Sequence, residues 1–296
     1  AEPPATSELE EFRESEPEGP HPSVVDSVGE LEHFTLDNGL EVGVQRDLTT
    51  RLVSVCVTYF VGQRHNPEGY DGLAHLTEHL MFQGSRNVGE DDYFRYLERV
   101  GATYRNGMTG YDNSTYCETV PAQNLAMALW LESDRMASML DHLDQRTLDT
   151  QRAIVLREYD DRYWSRLGTL HAIIIRRLYP AGHPYHIIGD DPADLAAMEL
   201  SHVQWFFQRW YRPDNAKLAI VGRFDPTEAR ELIEQYFGTI RAHPPQRLET
   251  ERRHPRETVE LPQGRLVSIL ANIDMSEVRI IWPTPPYFVP GDAELD

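Results

Sequence analysis

The chain has 296 residues, 40% hydrophobic and 10% aromatic, enough to bury a sizeable core and to build more than one lobe. Its 28 Lys and Arg stand against 48 Asp and Glu, and the net charge of −20 repels nucleic-acid phosphates and anionic membrane surfaces, so no nucleic-acid partner is expected. No apolar run reaches the roughly 18 residues of a membrane span, and the first residues are not a cationic, apolar signal peptide. The acidity serves as a solubilising surface or, if focused in a cleft, attracts basic peptides.

Residues 1–29 are polar, acidic and Pro-rich and read as an arm that buries little surface. Ala1 opens a run that resembles the mature end left after signal removal; periplasmic or extracellular residence is the expectation, cytoplasmic residence the alternative. His33-Phe34-Thr35-Leu36 and Leu40–Val44 flank Asp37-Asn38-Gly39 and read as a β-hairpin, because Asn-Gly readily takes the positive φ of a tight turn. Strand-like runs at Val53–Phe60 and Ser114–Val120 carry the two cysteines, Cys56 and Cys117. They lack a C-x-x-C metal spacing and are read as buried packing residues, with a disulfide left to whether the strands are neighbours. Asp91–Val100 reads as a short helix, Gly101–Met108 as a strand and Asn113–Val120 as its partner. Pro121 opens a helix with Leu125, Leu129, Met136 and Leu140 among its apolar positions. Helical stretches at 145–178 and about 192–210 precede a strand at Lys217–Val221 and a helix at Pro226–Phe237. Strands, then helices, then a strand describe an α+β fold, a mixed or antiparallel sheet covered by helices, rather than a parallel βαβ series.

The run His75-Leu76-Thr77-Glu78-His79 carries the chemistry. In a helix, positions i, i+3 and i+4 lie on one face, so His75 and His79 can hold one ion while Glu78 points to the same space. Leu73, Leu76, Leu80 and Met81 give this helix a buried side, and desolvated imidazoles need partners that a metal supplies. Two neutral imidazoles suit Zn²⁺, and a catalytic zinc takes a third protein ligand and leaves a position for water, whose pKa it lowers to about 7. Glu78 is placed to take that proton. Further on, Thr147–Glu158 reads as a helix with Leu148, Ile154 and Val155 on its buried side.

The inverted motif within Gly72–Ser85, together with Gln151–Glu158, resembles the pitrilysin and insulinase family of metallopeptidases. The likeness runs from about Leu31 to Ile240 and includes Leu129–Met136, His183-Pro184-Tyr185 and Tyr211–Gly222. It points to the bacterial branch that includes relatives of the mitochondrial processing peptidase. The resemblance implies a zinc-dependent endopeptidase acting on peptides or unfolded segments, with His75, His79 and Glu158 as ligands and Glu78 as general base. Gln151 stands where many members have a glutamate; an amide can donate a hydrogen bond to a ligand but adds no charge. Asn106 matches a residue that helps fix extended substrate on an edge strand, and Phe82 a wall of the pocket beyond the cut. His183-Pro184-Tyr185-His186 is read as a loop that binds no metal.

By the same likeness, residues 1–29 form an extension, 30–240 a processing-peptidase-like catalytic lobe, 241–264 a linker and 265–296 the opening strand of an incomplete second, similar lobe. The sequence stops at Asp296, so the remaining C-terminal fragment or a second subunit is expected to complete the fold and to supply an Arg and a Tyr that steady the substrate carbonyl. The alternative is a non-catalytic or partner-dependent zinc-binding subunit of a two-part assembly.

Overall fold

The computed structural model describes residues 28–163, 168–179, 183–186 and 191–241, together with Val278, Ile280 and Ile281. The expected N-terminal arm, linker and second-lobe strand therefore lie almost wholly outside the described residues. Among the latter, six strands form one sheet in the order β1-β2-β6-β3-β5-β4. They are β1 (Val28–Thr35), β2 (Glu41–Asp47), β3 (Leu52–Tyr59), β4 (Tyr104–Thr109), β5 (Ser114–Pro121) and β6 (Ala216–Gly222). The helices are α1 (Leu73–Leu80), α2 (Asp92–Arg99), α3 (Leu125–Ser138), α4 (Gln145–Tyr163), α5 (Gly168–Leu178), α6 (Pro192–Ala197), α7 (Leu200–Trp210) and α8 (Pro226–Phe237). None of the described helices is long and apolar enough to cross a membrane.

The α+β class and the mixed sheet are as expected. β6 lies parallel to β2 and antiparallel to β3, and the other pairs are antiparallel. β1 begins at Val28, two residues inside the segment read as an arm, because backbone pairing with β2 continues to Asp47. The hairpin turn is where Asn-Gly predicted it, with Gly39 at φ +88°. Asn38 is buried there because its side-chain amide donates to the carbonyls of Phe237 and Ile240, which fastens the hairpin to the end of α8. The helical stretch 145–178 is two helices, and 192–210 divides at Met198-Glu199. After Pro121 a 3₁₀ turn, Ala122–Asn124, comes before α3.

Alternation puts Val53, Val55, Val57 and Tyr59 of β3, Tyr116 and Val120 of β5, and Leu218 and Ile220 of β6 on one buried face, as a period of two residues requires. Helix residues such as Leu76, Leu80, Leu129, Phe206 and Ile233 complete this core. The opposite face carries Leu31, Ser54, Val221 and Tyr104 and is half-exposed to exposed. On α4 the buried side is Leu148, Gln151 and Val155; Ile154, expected inside, is exposed, since it is one position out of the i, i+3, i+7 row.

The cysteines correct the sequence reading. Cys56 and Cys117 are directly opposite each other across β3 and β5, with Cα atoms 4.2 Å apart, and form a disulfide on the half-exposed face rather than packing in the core. It closes a loop of sequence separation 61, so breaking it is expected to cost about 2–4 kcal/mol of stability. A thermal melt should shift down on adding reductant in the native chain and not in Cys56→Ser; a melt indifferent to reductant in both would remove the disulfide from the account of stability.

Candidate metal centre

α1 is set by its N-terminal surroundings before it meets any metal. Asn66 Oδ1 accepts from Ala74 N–H at 2.9 Å, satisfying one of the donors left open in a first helical turn. Leu73, Leu76 and Leu80 turn into the core, which leaves His75, Glu78 and His79 toward α4 and β4. α4 answers with its own row, since Leu148, Gln151, Val155 and Glu158 recur at spacings of three and four. The apolar members of that row pack, and the polar members reach α1.

Glu158 Oε2 lies 3.7 Å from His75 Nε2 and 3.6 Å from His79 Nε2. The three ligand atoms are all within 4.8 Å of one another, and this is the one such group of potential ligands among the described residues. Ligand atoms about 2.1 Å from a tetrahedral zinc are roughly 3.4 Å apart, so the donor set and its spacing fit that ion. Gln151 Oε1 is 3.3 Å from His79 Nδ1. The amide therefore accepts from His79 rather than donating, which puts the proton on Nδ1 and leaves Nε2 with its lone pair toward Glu158.

Glu78 stands apart from the ligands, half-buried and directed at the sheet edge. A Cβ built on Gly107 would be 3.1 Å from Glu78 Cγ and 2.8 Å from the Phe82 ring, so the strand approaches this close only because residue 107 has no side chain. Gly107 was missed from sequence although a glycine inside a strand is a signal of close backbone approach. β4 is the last strand of the sheet among the described residues, with only β5 beside it. Phe82 is at this junction, stacked on Phe94 and near Tyr93 and Tyr116. Asn106 is in the same strand but pairs in register with Cys117, which puts its exposed side chain on the sheet face opposite Gly107 and Glu78.

Beneath Phe82 is a buried charge cluster that the sequence did not single out. Arg135 pairs with Glu132 through Nε at 3.0 Å and through Nη2, and lies 4.4–5.1 Å from the ring centres of Phe82, Tyr93 and Tyr116. Tyr93 donates to Glu132 at 2.7 Å and to Glu118 at 3.2 Å. Burial, then the neighbouring Glu132, pushes the Glu118 carboxyl well above the usual carboxylate range. Burial opposes the charge on Arg135, but the facing Glu132, Tyr93 and Glu118 outweigh it and raise its pKa. Burial lifts Tyr211 to about 12 and Tyr116 well above 10, with Glu78 adding to both, so the two phenols that bond to each other under the site stay protonated.

Among the described residues, His183 and His186 are not part of the group of potential ligands; His183 Nδ1 accepts from Tyr185 N–H, and His186 Nδ1 is 2.7 Å from the Tyr179 carbonyl.

The sequence model described as insulinase (peptidase family M16) matches residues 41–181, and that described as the peptidase M16 inactive domain matches 197–295. The second match begins at the end of α6 and takes in β6, which is inserted between β2 and β3 in the sheet. A Helicobacter pylori protein named zinc protease PqqE is 30% identical over 217 residues, 71% of this chain and 47% of that protein. A probable zinc protease PqqL of Haemophilus influenzae is 26% identical over 216 residues, 69% of this chain and 23% of that one. The crystal structure of a protease from Helicobacter pylori has a TM-score of 0.68 at 27% identity, covering 74% of this chain and 52% of its own. A putative M16-like peptidase from Alicyclobacillus acidocaldarius shares the fold, with a TM-score of 0.66 over 73% of this chain and 51% of its own, at 21% identity. The chain thus spans about half the length of one of these curated relatives and about a quarter of the other. With both family models aligned along it and the inverted histidine motif at the heart of the first, the chain belongs to the pitrilysin/insulinase family, peptidase family M16.

Proposed function

We propose that this chain is the zinc-binding catalytic portion of a metalloendopeptidase that cuts peptides or unfolded polypeptide segments. The observation that carries the reading is the convergence of His75, His79 and Glu158 within 4.8 Å, beside a carboxylate that is not one of them and the strand that ends the sheet among the described residues. Zinc held there would polarise the scissile carbonyl and lower the pKa of water at the site to about 7. Glu78 takes the proton from the attacking water and returns it to the departing amine, so one carboxylate serves as base and then acid. Extended substrate pairs with the β4 backbone, which explains tolerance of varied sequences, while Phe82 bounds a side-chain pocket. Asn106 contributes through its main chain, since its side chain is on the far face.

The relatives named zinc proteases support this reading, as does the fit of the donor set to zinc. Residence in an oxidising compartment, the periplasm or the cell exterior, is supported by the Cys56–Cys117 disulfide. The span of about half a relative's length favours one second reading, a zinc-binding part that needs the rest of its protein, or a second subunit, to supply an Arg and a Tyr and become active. An unstructured peptide incubated with the chain, with its products weighed by mass spectrometry, tests both. Cleavage should stop after chelation and return with added Zn²⁺; cleavage that persists in the metal-free protein would end the zinc-peptidase reading. Cleavage that begins only when a C-terminal portion is added would select the second.

A further inference from the structure

The β4–β5 turn is held from two sides by segments that flank the metal ligands in sequence. Gly110 N–H donates to the Asn113 carbonyl at 2.8 Å and closes the turn. On one side, Gln63 N–H donates to the Gly110 carbonyl at 3.0 Å and Arg64 N–H to the Tyr111 carbonyl at 3.1 Å. A Cβ on Gly62 would be 2.5 Å from Gly110 O, so a side chain there would push the turn away. Arg64 Nε reaches Asp112 Oδ1 at 2.8 Å. On the other side, the Tyr185 hydroxyl donates to Asp112 Oδ2 at 2.5 Å, and its ring is 5.3 Å from that of Tyr111. Each oxygen of one carboxylate thus faces a different segment.

Those segments are not arbitrary. Residues 62–66 lead into α1, whose first turn Asn66 caps, and residues 183–186 follow the α4–α5 pair that carries Glu158. We infer that Arg64, Asp112 and Tyr185 form a clasp that fixes β4, the last strand of the sheet among the described residues, relative to the metal centre, which makes them positioning residues for bound peptide. The inference rests on the peptidase reading and deepens it. A peptide adds to β4 only as well as the strand is held ready for it, so a loosened hairpin costs ordering on binding and weakens the peptide's hold before it touches the chemistry. Pairing with β5 sets the register of β4 but leaves the far end of the hairpin free to swing; the clasp closes that end. Burial and the hydrogen bond to Asp112 both raise the Tyr185 pKa, so the hydroxyl remains a donor wherever the protein is folded.

The test uses the zinc-loaded chain, together with any C-terminal portion it needs for activity, and the variants Tyr185→Phe and Asp112→Asn. Tyr185→Phe deletes one hydroxyl and keeps the ring. The expected result is unchanged zinc content, KM for a ten-residue unstructured peptide raised about tenfold in each variant, and kcat within about twofold. Hydrogen exchange at the amides of β4 should accelerate in the same variants. In a Glu78→Gln background, binding of the same fluorescently labelled peptide should weaken by the same factor. If the parent binds peptide and both variants bind and cut it equally well, the clasp is overturned and the peptidase reading stands. A parent that neither binds nor cuts peptide in any assembly overturns the peptidase reading and the clasp with it.

Discussion

Glu78→Gln is expected to lower kcat for peptide cleavage by about 10²–10⁴-fold while zinc content stays at the parent level. The separation follows from geometry. Glu78 is outside the group formed by His75, His79 and Glu158, so an amide in its place removes no ligand. The substitution also preserves volume where volume matters, against Gly107 and the Phe82 ring. What changes is the ability to accept a proton, since an amide oxygen is a hydrogen-bond acceptor but not a base near neutral pH. KM should move little, because the peptide is held by β4 and not by the proton acceptor. Turnover by mass spectrometry and metal by elemental analysis would be read on one preparation. Near-normal turnover with zinc in place would show that another group takes the proton.

Glu158→Gln should act on the other half of the site and strip the metal. The ligand set then falls to two neutral imidazoles with no charge to offset that of the ion, and zinc affinity is expected to drop by well over 100-fold, more than the 10- to 100-fold cost of losing an outer hydrogen-bond partner. The fold should survive. Glu158 is half-exposed at the far end of α4, and the packing of that helix rests on Leu148 and Val155, both fully buried. A competition titration against a chromophoric chelator gives the affinity, and circular dichroism checks the helix. Tight zinc binding by this variant would mean that the third ligand is some other group. The paired outcomes separate the two roles, with zinc retained but turnover lost for Glu78→Gln, and both lost for Glu158→Gln.

The sequence by itself determined what depends on neighbours a few residues apart. The helical period brings His75, Glu78 and His79 to one side of one helix whatever the rest of the chain does, and Asn38-Gly39 between two strand-like runs favours a tight turn. The long-range ligand was within reach only through resemblance, because nothing local distinguishes Glu158 from Asp160 or Asp161 until α4 is laid against α1. Tertiary structure decided the rest, since strand register is a relation between segments. Register put Cys56 opposite Cys117 and made a disulfide of two residues read as packing, and it turned Asn106 to the open face while Gly107 met Glu78. Folding also buried Glu118, Glu132 and Arg135 together; an isolated charge would be too costly to remove from water, and the Glu132–Arg135 pair within α3 is buried with Glu118 of β5 and Tyr93 of α2 as further partners. The clasp has the same origin, because Arg64, Asp112 and Tyr185 come from three distant segments, and the ion pair and the hydrogen bond between them exist only once the sheet and the helices have docked.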